Sequence, residues 1–379
     1  MKPLGILRYY LLNKKKSVVF LLAIGLSVFL LYSVQMLIDS AMSINYRTFV
    51  LPQRFFSSIT AKSKVLDDDL IKTVLSYESV DKAIPWVFQY TNFNSSIGGR
   101  IGTKVITAKQ EDIELLMDTM GLKLKAGRLP DPDSDEIVLH ELVAANKNKK
   151  IGDVISSDTD KNEVLRGKMT VCGILEGGCI VSFVPLEYWM AQNGVTFDDY
   201  SLGIILLPKE GRTSELENNL NALDISGLDL RTYTSVAAQT ARDNQSIQML
   251  LTMINIMVII IVSICTGFIS YIYFAQRRSE FGILGAMGYT GQQIVNRAFF
   301  EILWINGFGF AVGMLLSVFI GVILNAVSFI PRGQPLILWN PDYLIKAVCV
   351  PVFVILFSII PVWRMLKKLD PVSIIEGMA

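Results

Sequence analysis

Four long stretches of this chain carry no charged residue, and that pattern limits what it can fold into more than any other feature. Ser17–Ile38 runs 22 residues without a charge. The interval between Asp243 and Arg277 runs 33, that between Glu301 and Arg332 runs 30, and that between Lys346 and Arg364 runs 17. A helix needs about 20 apolar residues to cross roughly 30 Å of hydrocarbon. Each stretch is therefore predicted to span a membrane, with Tyr343 and Leu344 extending the shortest. The first follows basic residues as a secretory signal would. It is too long for one, and no small-residue cleavage pattern follows it, so it reads as a retained anchor.

Between the first two stretches lies a segment of ordinary polarity. Residues 39–245 hold 22 Lys/Arg against 29 Asp/Glu, a local net of −7, whereas the whole chain is +1. That overall balance gives no reason to expect nucleic acid. Lys2, Arg8 and Lys14–Lys16 precede the first span, Arg277, Arg278 and Arg297 separate the second from the third, and Arg364, Lys367 and Lys368 follow the fourth. Basic residues concentrate on the cytoplasmic side. Both termini are thus predicted to be cytoplasmic in a multi-pass protein, with the acidic segment outside. Trp339, Tyr343 and Trp363 stand near span ends, where interfacial aromatics belong. The second span is longer than a bilayer requires, and no Gly or Pro interrupts Thr234–Gln248. Thr234 or Ser235 is placed to cap a helix, so spans one and two are expected to project as a stalk.

The outer segment mixes strand and helix signals. Ile137–Leu139, Met169–Leu175, Ile180–Val184 and Leu202–Leu207 are short β-rich runs, while Glu111–Met120 and Ser214–Leu223 carry helical spacing. A further helix is expected within Ser57–Asp81, starting near Asp67-Asp68-Asp69, where acidic residues suit a helix N-terminus. An α+β domain follows. Asp131–Glu136 resembles the start of a calcium loop, but position six lacks Gly and position twelve is Leu142, so a polar turn is expected. His140-Glu141 has no second histidine after it, and no G-x-x-x-x-G-K-[ST] or G-x-S-x-G occurs. No catalytic, metal-binding or cofactor-binding residue is assigned. Cys172 and Cys179 are either a disulfide or two free thiols, because a seven-residue separation says nothing about Cα distance.

Within the spans, Gly309, Gly313, Ser317 and Gly321 fall four residues apart, hence on one helix face that lets another backbone approach. Packing among the chain's own spans is favoured over a subunit interface. Glu301 opens the third span close to Arg297 and is expected to reach the cytoplasmic interface. Asn255, Asn306 and Asn325 are expected to bond between helices.

Between the second and third spans stands Arg277-Arg-Ser-Glu280-Phe281-Gly282-Ile283-Leu284-Gly285-Ala-Met287-Gly288-Tyr-Thr-Gly-Gln-Gln-Ile294. Three glycines three residues apart read as a bare ridge, and Phe281, Ile283, Leu284 and Met287 require an apolar cover. This segment resembles the motif RRxEIGxLRALGAxxxQI of the FtsX-like/MacB permeases of ABC transporters. Leu11–Val28 is similar to that family's approach to its first span, and Pro361–Gly377 resembles its tail after the fourth. In the outer domain, Lys125–Ala144, Lys150–Ile155 and Met169–Gly177 are similar to the periplasmic core domain of MacB-like proteins. Gly285 stands where the family often has Arg, and Gly291 interrupts a stretch that is usually helical.

The resemblance implies a polytopic α-helical membrane protein with four transmembrane helices and an α+β extracytoplasmic domain of the MacB-like core type between helices one and two. It implies a non-catalytic permease that dimerises with an identical or homologous partner in the lipid bilayer of the bacterial plasma (inner) membrane. Two copies of a separate ABC ATPase bind ATP and Mg and drive the outer domain by mechanotransmission. Glu280, Phe281, Gly282, Ile283, Leu284, Gly285 and Gly288 match the ATPase-coupling segment. An adaptor or a substrate peptide would be a further partner. Export of peptides, antibiotics or lipid-linked substrates is the leading expectation. A non-transporting regulator of cell-wall hydrolases is the alternative, and a sensor without an ATPase is a third reading. The boundaries read as a cytoplasmic amphipathic helix (1–16), span one with stalk (17–55), the outer domain (56–233), stalk with span two (234–276), the coupling segment (277–297), span three (298–330), an outer loop (331–342), span four (343–363) and a cytoplasmic tail (364–379).

Overall fold

The computed structural model describes residues 14–61, 66–95, 99–158, 160–193, 202–223 and 227–367. The expected amphipathic helix of residues 1–16 falls almost wholly outside these, as does most of the tail beyond 367. The chain divides into a unit built on the segment expected to lie outside, and so labelled the outer unit (39–246 with 325–336), and a membrane unit formed by the remainder.

Helix α1 (Lys14–Asn45) supplies residues to both units and continues as a π turn (Tyr46–Val50) and a 3-10 turn started by Pro52 (Leu51–Arg54). The outer unit then runs β1 (Ser57–Ala61), α2 (Asp68–Leu75), β2 (Val80–Pro85), β3 (Val87–Asn94), β4 (Arg100–Ala108) and α3 (Gln110–Met120). It continues through β5 (Lys123–Gly127), β6 (Glu136–His140), α4 (Glu141–Lys147), β7 (Val154–Ser156), β8 (Lys168–Glu176) and β9 (Val181–Pro185). It closes with α5 (Leu186–Asn193), β10 (Gly203–Pro208), α6 (Thr213–Asn221) and β11 (Leu228–Arg231). The α+β expectation holds, as two sheets. One is antiparallel, in the order β11-β1-β10-β2. The other is mixed, in the order β3-β4-β9-β6-β8-β5 with β7 on β8, and its β4–β9 and β6–β8 pairs are parallel.

The continuous apolar runs read in the sequence are explained by this second sheet. Successive side chains of a strand point to opposite faces. Accordingly Val138 joins one core with Ile113, Leu116 and Phe183, while Ile137 and Leu139 join another with Phe93, Val105 and Val171. A strand buried on both faces reads as an unbroken hydrophobic run. Helix α2 begins at the aspartate triplet as expected, but Ser57–Ala61 ahead of it is a strand, paired with β10 and β11.

Several local readings resolve. Asp131–Glu136 is a polar turn: Arg128 pairs with Glu136 at 2.5 Å, and Ser134 Oγ donates to the Asp131 carbonyl. His140 caps α4, its Nδ1 accepting from Leu142 N–H at 3.2 Å while Nε2 lies 3.3 Å from Gly177 O. Those two partners select the neutral ring, and burial pushes its pKa down to about 4. Cys172 and Cys179 are free and buried, and burial raises their thiols to about 12 and about 11.

The loop after the third span belongs to the outer unit. Asn325–Phe329 forms a π turn and Ile330–Arg332 a 3-10 turn. The uncharged run continues past Leu324 to Pro331, and Asn325–Leu336 are grouped with the β-sheet unit by their contacts. Asn146 Nδ2 donates to Arg332 O at 2.8 Å, and Gln334 Nε2 donates to Asn94 O. Gly333, with φ +66°, sits so close to α4 that a Cβ would lie 1.9 Å from Leu142 O.

The remaining helices are α7 (Tyr233–Ala275), α8 (Arg278–Ala286), α9 (Gly291–Leu324) and α10 (Pro341–Lys367). Helix α7 has 43 residues, about 65 Å at 1.5 Å per residue. Its cap is Thr232, earlier than Thr234 or Ser235: Thr232 Oγ1 accepts from Ser235 N–H, and Thr232 N–H donates to Ser235 Oγ. The spans in α1, α7, α9 and α10 make this a multi-pass membrane protein.

Inside the membrane unit the small-residue face of α9 meets α1 of the same chain. A Cβ at Gly313 would lie 2.5 Å from Gly25 O, one at Gly309 3.0 Å from Ile24 Cβ, and one at Gly321 3.0 Å from Met36 Cε. Ser317 Oγ donates to Phe29 O at 3.2 Å. A second close approach joins α7 to α10, where Gly267 faces the Phe357 carbonyl and Ser270 meets Ser358. Pro361, lacking an N–H, cannot donate to that carbonyl within the helix. The asparagines differ from expectation. Asn306 donates to Ile302 O of its own helix, and Asn325 accepts from Leu336 N–H in the outer loop. Both satisfy nearby backbone first.

Candidate functional site

The segment expected to couple to an ATPase is built around α8. Arg277 ends the turn after α7, and its guanidinium is buried with Glu301 of α9, Nη1 to Oε1 at 2.5 Å. Its Nε reaches Glu280 at 2.9 Å. Tyr273 OH accepts from Arg277 Nη1 at 3.2 Å and donates to Glu301 Oε1 at 3.3 Å. The rings of Tyr273, Phe274 and Phe281 lie 5.2–5.9 Å from the guanidinium carbon. Glu301 is 1 % exposed. It turns inward to Arg277 instead of reaching the interface. A paired charge avoids the large cost of leaving one ion alone in an apolar interior.

This cluster decides which side of α8 faces in. Phe281 and Leu284 pack with Phe274, Ile294, Ala298, Ile302, Val362 and Met365, so α8 is tied to α7, α9 and α10 together. Gly282 is buried on that side too, and Gly285 is partly buried. Glu280, Ile283 and Met287 occupy the opposite face, with Ile283 53 % and Met287 58 % exposed. Of the four apolar residues needing cover, the chain itself covers Phe281 and Leu284 and leaves Ile283 and Met287 open.

The glycines do not act as one ridge. Gly288 has φ +94° and ends α8: its N–H donates to Gly285 O and Tyr289 N–H to Leu284 O, the paired bonds of a Schellman motif. Gly291, read as an interruption, is the first residue of α9. Thr290 Oγ1 accepts from Gln293 N–H at 3.4 Å, and Gln293 Oε1 accepts from Thr290 N–H at 2.9 Å. That reciprocal box was present in the sequence as Thr290-Gly-Gln-Gln293. Sequence reasoning also missed the Arg277–Glu301 pair. Its only signal was two opposite charges at the same end of consecutive spans.

Residues 252–371 match the family model described as FtsX-like permease C-terminal, bearing out over that range the resemblance carried by the coupling segment. Among solved structures, the chain is similar to the periplasmic region of MacB from Actinobacillus actinomycetemcomitans, at 14 % identity over 52 % of this chain and 95 % of that one, with a TM-score of 0.31. It is also similar to the extracellular domain of the noncanonic ABC-type transporter YknZ from Gram-positive bacteria, at 9 % identity over 47 % of this chain and 100 % of that one, with a TM-score of 0.29.

Proposed function

We propose, from the premise that residues 252–371 are an FtsX-like permease domain, that this chain is the membrane subunit of an ABC transporter. A separate ATPase subunit, holding ATP and Mg, docks on α8 and moves the outer domain through the spans. The observation that carries this reading is the exposed pair Ile283 and Met287 on a helix whose opposite face is locked to three others. An apolar patch on a rigid mount suits a partner that pushes, because force on α8 passes to α7 and α9 through Arg277 and Glu301 instead of being absorbed locally. The 11 basic residues flanking the termini and α8 support a cytoplasmic position for that face. Export of peptides, antibiotics or lipid-linked molecules is the outward task assigned.

The test is co-expression with a candidate ABC ATPase subunit from the same genome, reading co-purification and ATP hydrolysis in lipid nanodiscs. Ile283→Asp and Met287→Asp are each expected to lower ATPase capture at least tenfold while the permease stays folded. Capture unchanged in the double variant sinks the docking assignment.

A further inference from the structure

We infer that the outer unit carries a binding site for an extended peptide segment, which adds as a strand to the β3 edge and buries a bulky apolar side chain beside it. The argument does not use α8 and stands whether or not an ATPase docks there.

Strand β3 is the terminal strand of the larger sheet and, among the described residues, is bonded only to β4. In an antiparallel pair, alternate residues turn their backbone groups away from the partner strand. On β3 this outward set includes Asn92 and Asn94, whose N–H groups donate to Glu163 Oε1 at 3.4 Å and Asn146 Oδ1 at 2.7 Å. Before the strand, Trp86 N–H donates to Gly203 O at 3.2 Å. The edge is thus closed at both ends. Between these closures stand Phe88 and Tyr90, of the same parity, whose main-chain groups on that edge have no partner among the described residues. Unpaired edge groups are a template for another strand, and proteins usually cover them or blunt them with charge. Here the flanks are covered and the centre is left open.

Beside that gap lies a cavity of about 700 Å³. Phe49, Phe88, Tyr90 and Trp189 supply aromatic walls, and Arg166 is the one charged residue among its described lining. Gln89, 8 % exposed, also lines it. Its Nε2 donates to Thr107 Oγ1 at 2.9 Å, but its Oε1 is buried without a partner. A buried unpaired acceptor costs free energy unless a donor arrives. Each feature describes the occupant. The edge asks for main-chain donors and acceptors in an extended line, the aromatic wall for a large apolar side chain, Arg166 for a carboxylate and Gln89 for a donor. A peptide meets all four, and strand addition combined with a side-chain pocket is a recurring recognition mode.

The test uses full-length protein in lipid nanodiscs and calorimetric titration with the unlabelled hexapeptide Thr-Val-Thr-Phe-Thr-Glu bearing a free carboxylate. Saturable binding is expected. N-methylation of one alternate set of peptide amides should weaken it at least tenfold, and methylation of the other set less than threefold. Arg166→Gln should weaken it about tenfold. Tyr90→Pro removes an N–H that makes no ladder bond, a substitution edge strands tolerate, and should abolish binding where Tyr90→Phe retains it. The peptide series tests the idea without altering the protein. Absence of saturable binding up to millimolar peptide overturns the proposal. So does equal loss from both methylation patterns, or hydrogen exchange showing the Phe88 and Tyr90 amides already protected by a second copy of the chain.

Discussion

Alanine substitutions along α9 should separate the glycines that set its distance to α1 from those that do not. At Gly313 an added Cβ meets Gly25 O at 2.5 Å, Val28 Cβ at 2.9 Å and Gly25 Cα at 3.0 Å. Two of these are backbone atoms, which no rotamer change can move, so the helices must part. A gap of 0.5–1 Å forfeits roughly a quarter to a half of each contact along the seam, and overpacking of this kind costs about 1–3 kcal/mol. At Gly307 nothing lies within 4 Å, so alanine there should gain up to ~1 kcal/mol from helix propensity. The propensity gain is common to both positions, so the expected difference between Gly313→Ala and Gly307→Ala is the steric cost, about 1–3 kcal/mol. Gly309→Ala, meeting Ile24 Cβ at 3.0 Å, should fall between them, and Gly25→Ala, in ordinary contact 3.5 Å from Gly309 O, should behave like Gly307→Ala. Reversible unfolding of the purified chain in mixed micelles, titrated with SDS, reads all four. If Gly313→Ala proves as stable as Gly307→Ala, the close approach of α1 and α9 is wrong.

Two further outcomes follow from buried charge. Glu301→Gln or Arg277→Met should each lose about 3–5 kcal/mol, since one partner leaves the other charge uncompensated, whereas Arg277→Met with Glu301→Met should recover most of it; the same SDS titration checks this. His140, with its folded pKa depressed to about 4, takes up a proton in the unfolded chain near 6.5 but in the folded one only near 4. Its contribution is therefore complete above pH 6.5 and lost as pH falls toward 4, by roughly 3 kcal/mol. His140→Asn, which keeps a capping acceptor, should show a shallower fall in stability over that window by thermal unfolding.

How much of this was legible depended on whether the signal was local. A span is written as an uninterrupted run, so α1, α7, α9 and α10 could be read directly. Asp67–Asp69 marked α2 for the same reason, since a helix end interacts with charges in its own first turn. The first sheet was harder. Ser57–Ala61 has little alternation, and it becomes a strand because β10 and β11 pair with it from far along the chain. The coupling segment could be located from its residues, but not its orientation. That was decided by Arg277 meeting Glu301, a pairing that exists only once α7 and α9 fold back on each other. The loop 325–336 was hidden for a different reason: its start is as uncharged as the span it follows, and only contact with Asn94, Leu142 and Asn146 groups it with the β-sheet unit.

That loop also bears on the order in which the molecule is made. Gly333 and Gln334 close against α4 and the end of β3, yet they are synthesised roughly 100 residues after β11, the last strand of the outer unit. At ribosomal rates of about 5–20 residues per second, the outer unit waits roughly 5–20 s for its final piece. During that interval the Asn94 carbonyl keeps its bond from Asn146 Nδ2 but lacks the one from Gln334, and the surface of α4 at Leu142 lacks Gly333. Completion of this unit thus waits on the synthesis of α9, and a chain stalled before Gly333 would present an unfinished surface to quality-control proteases.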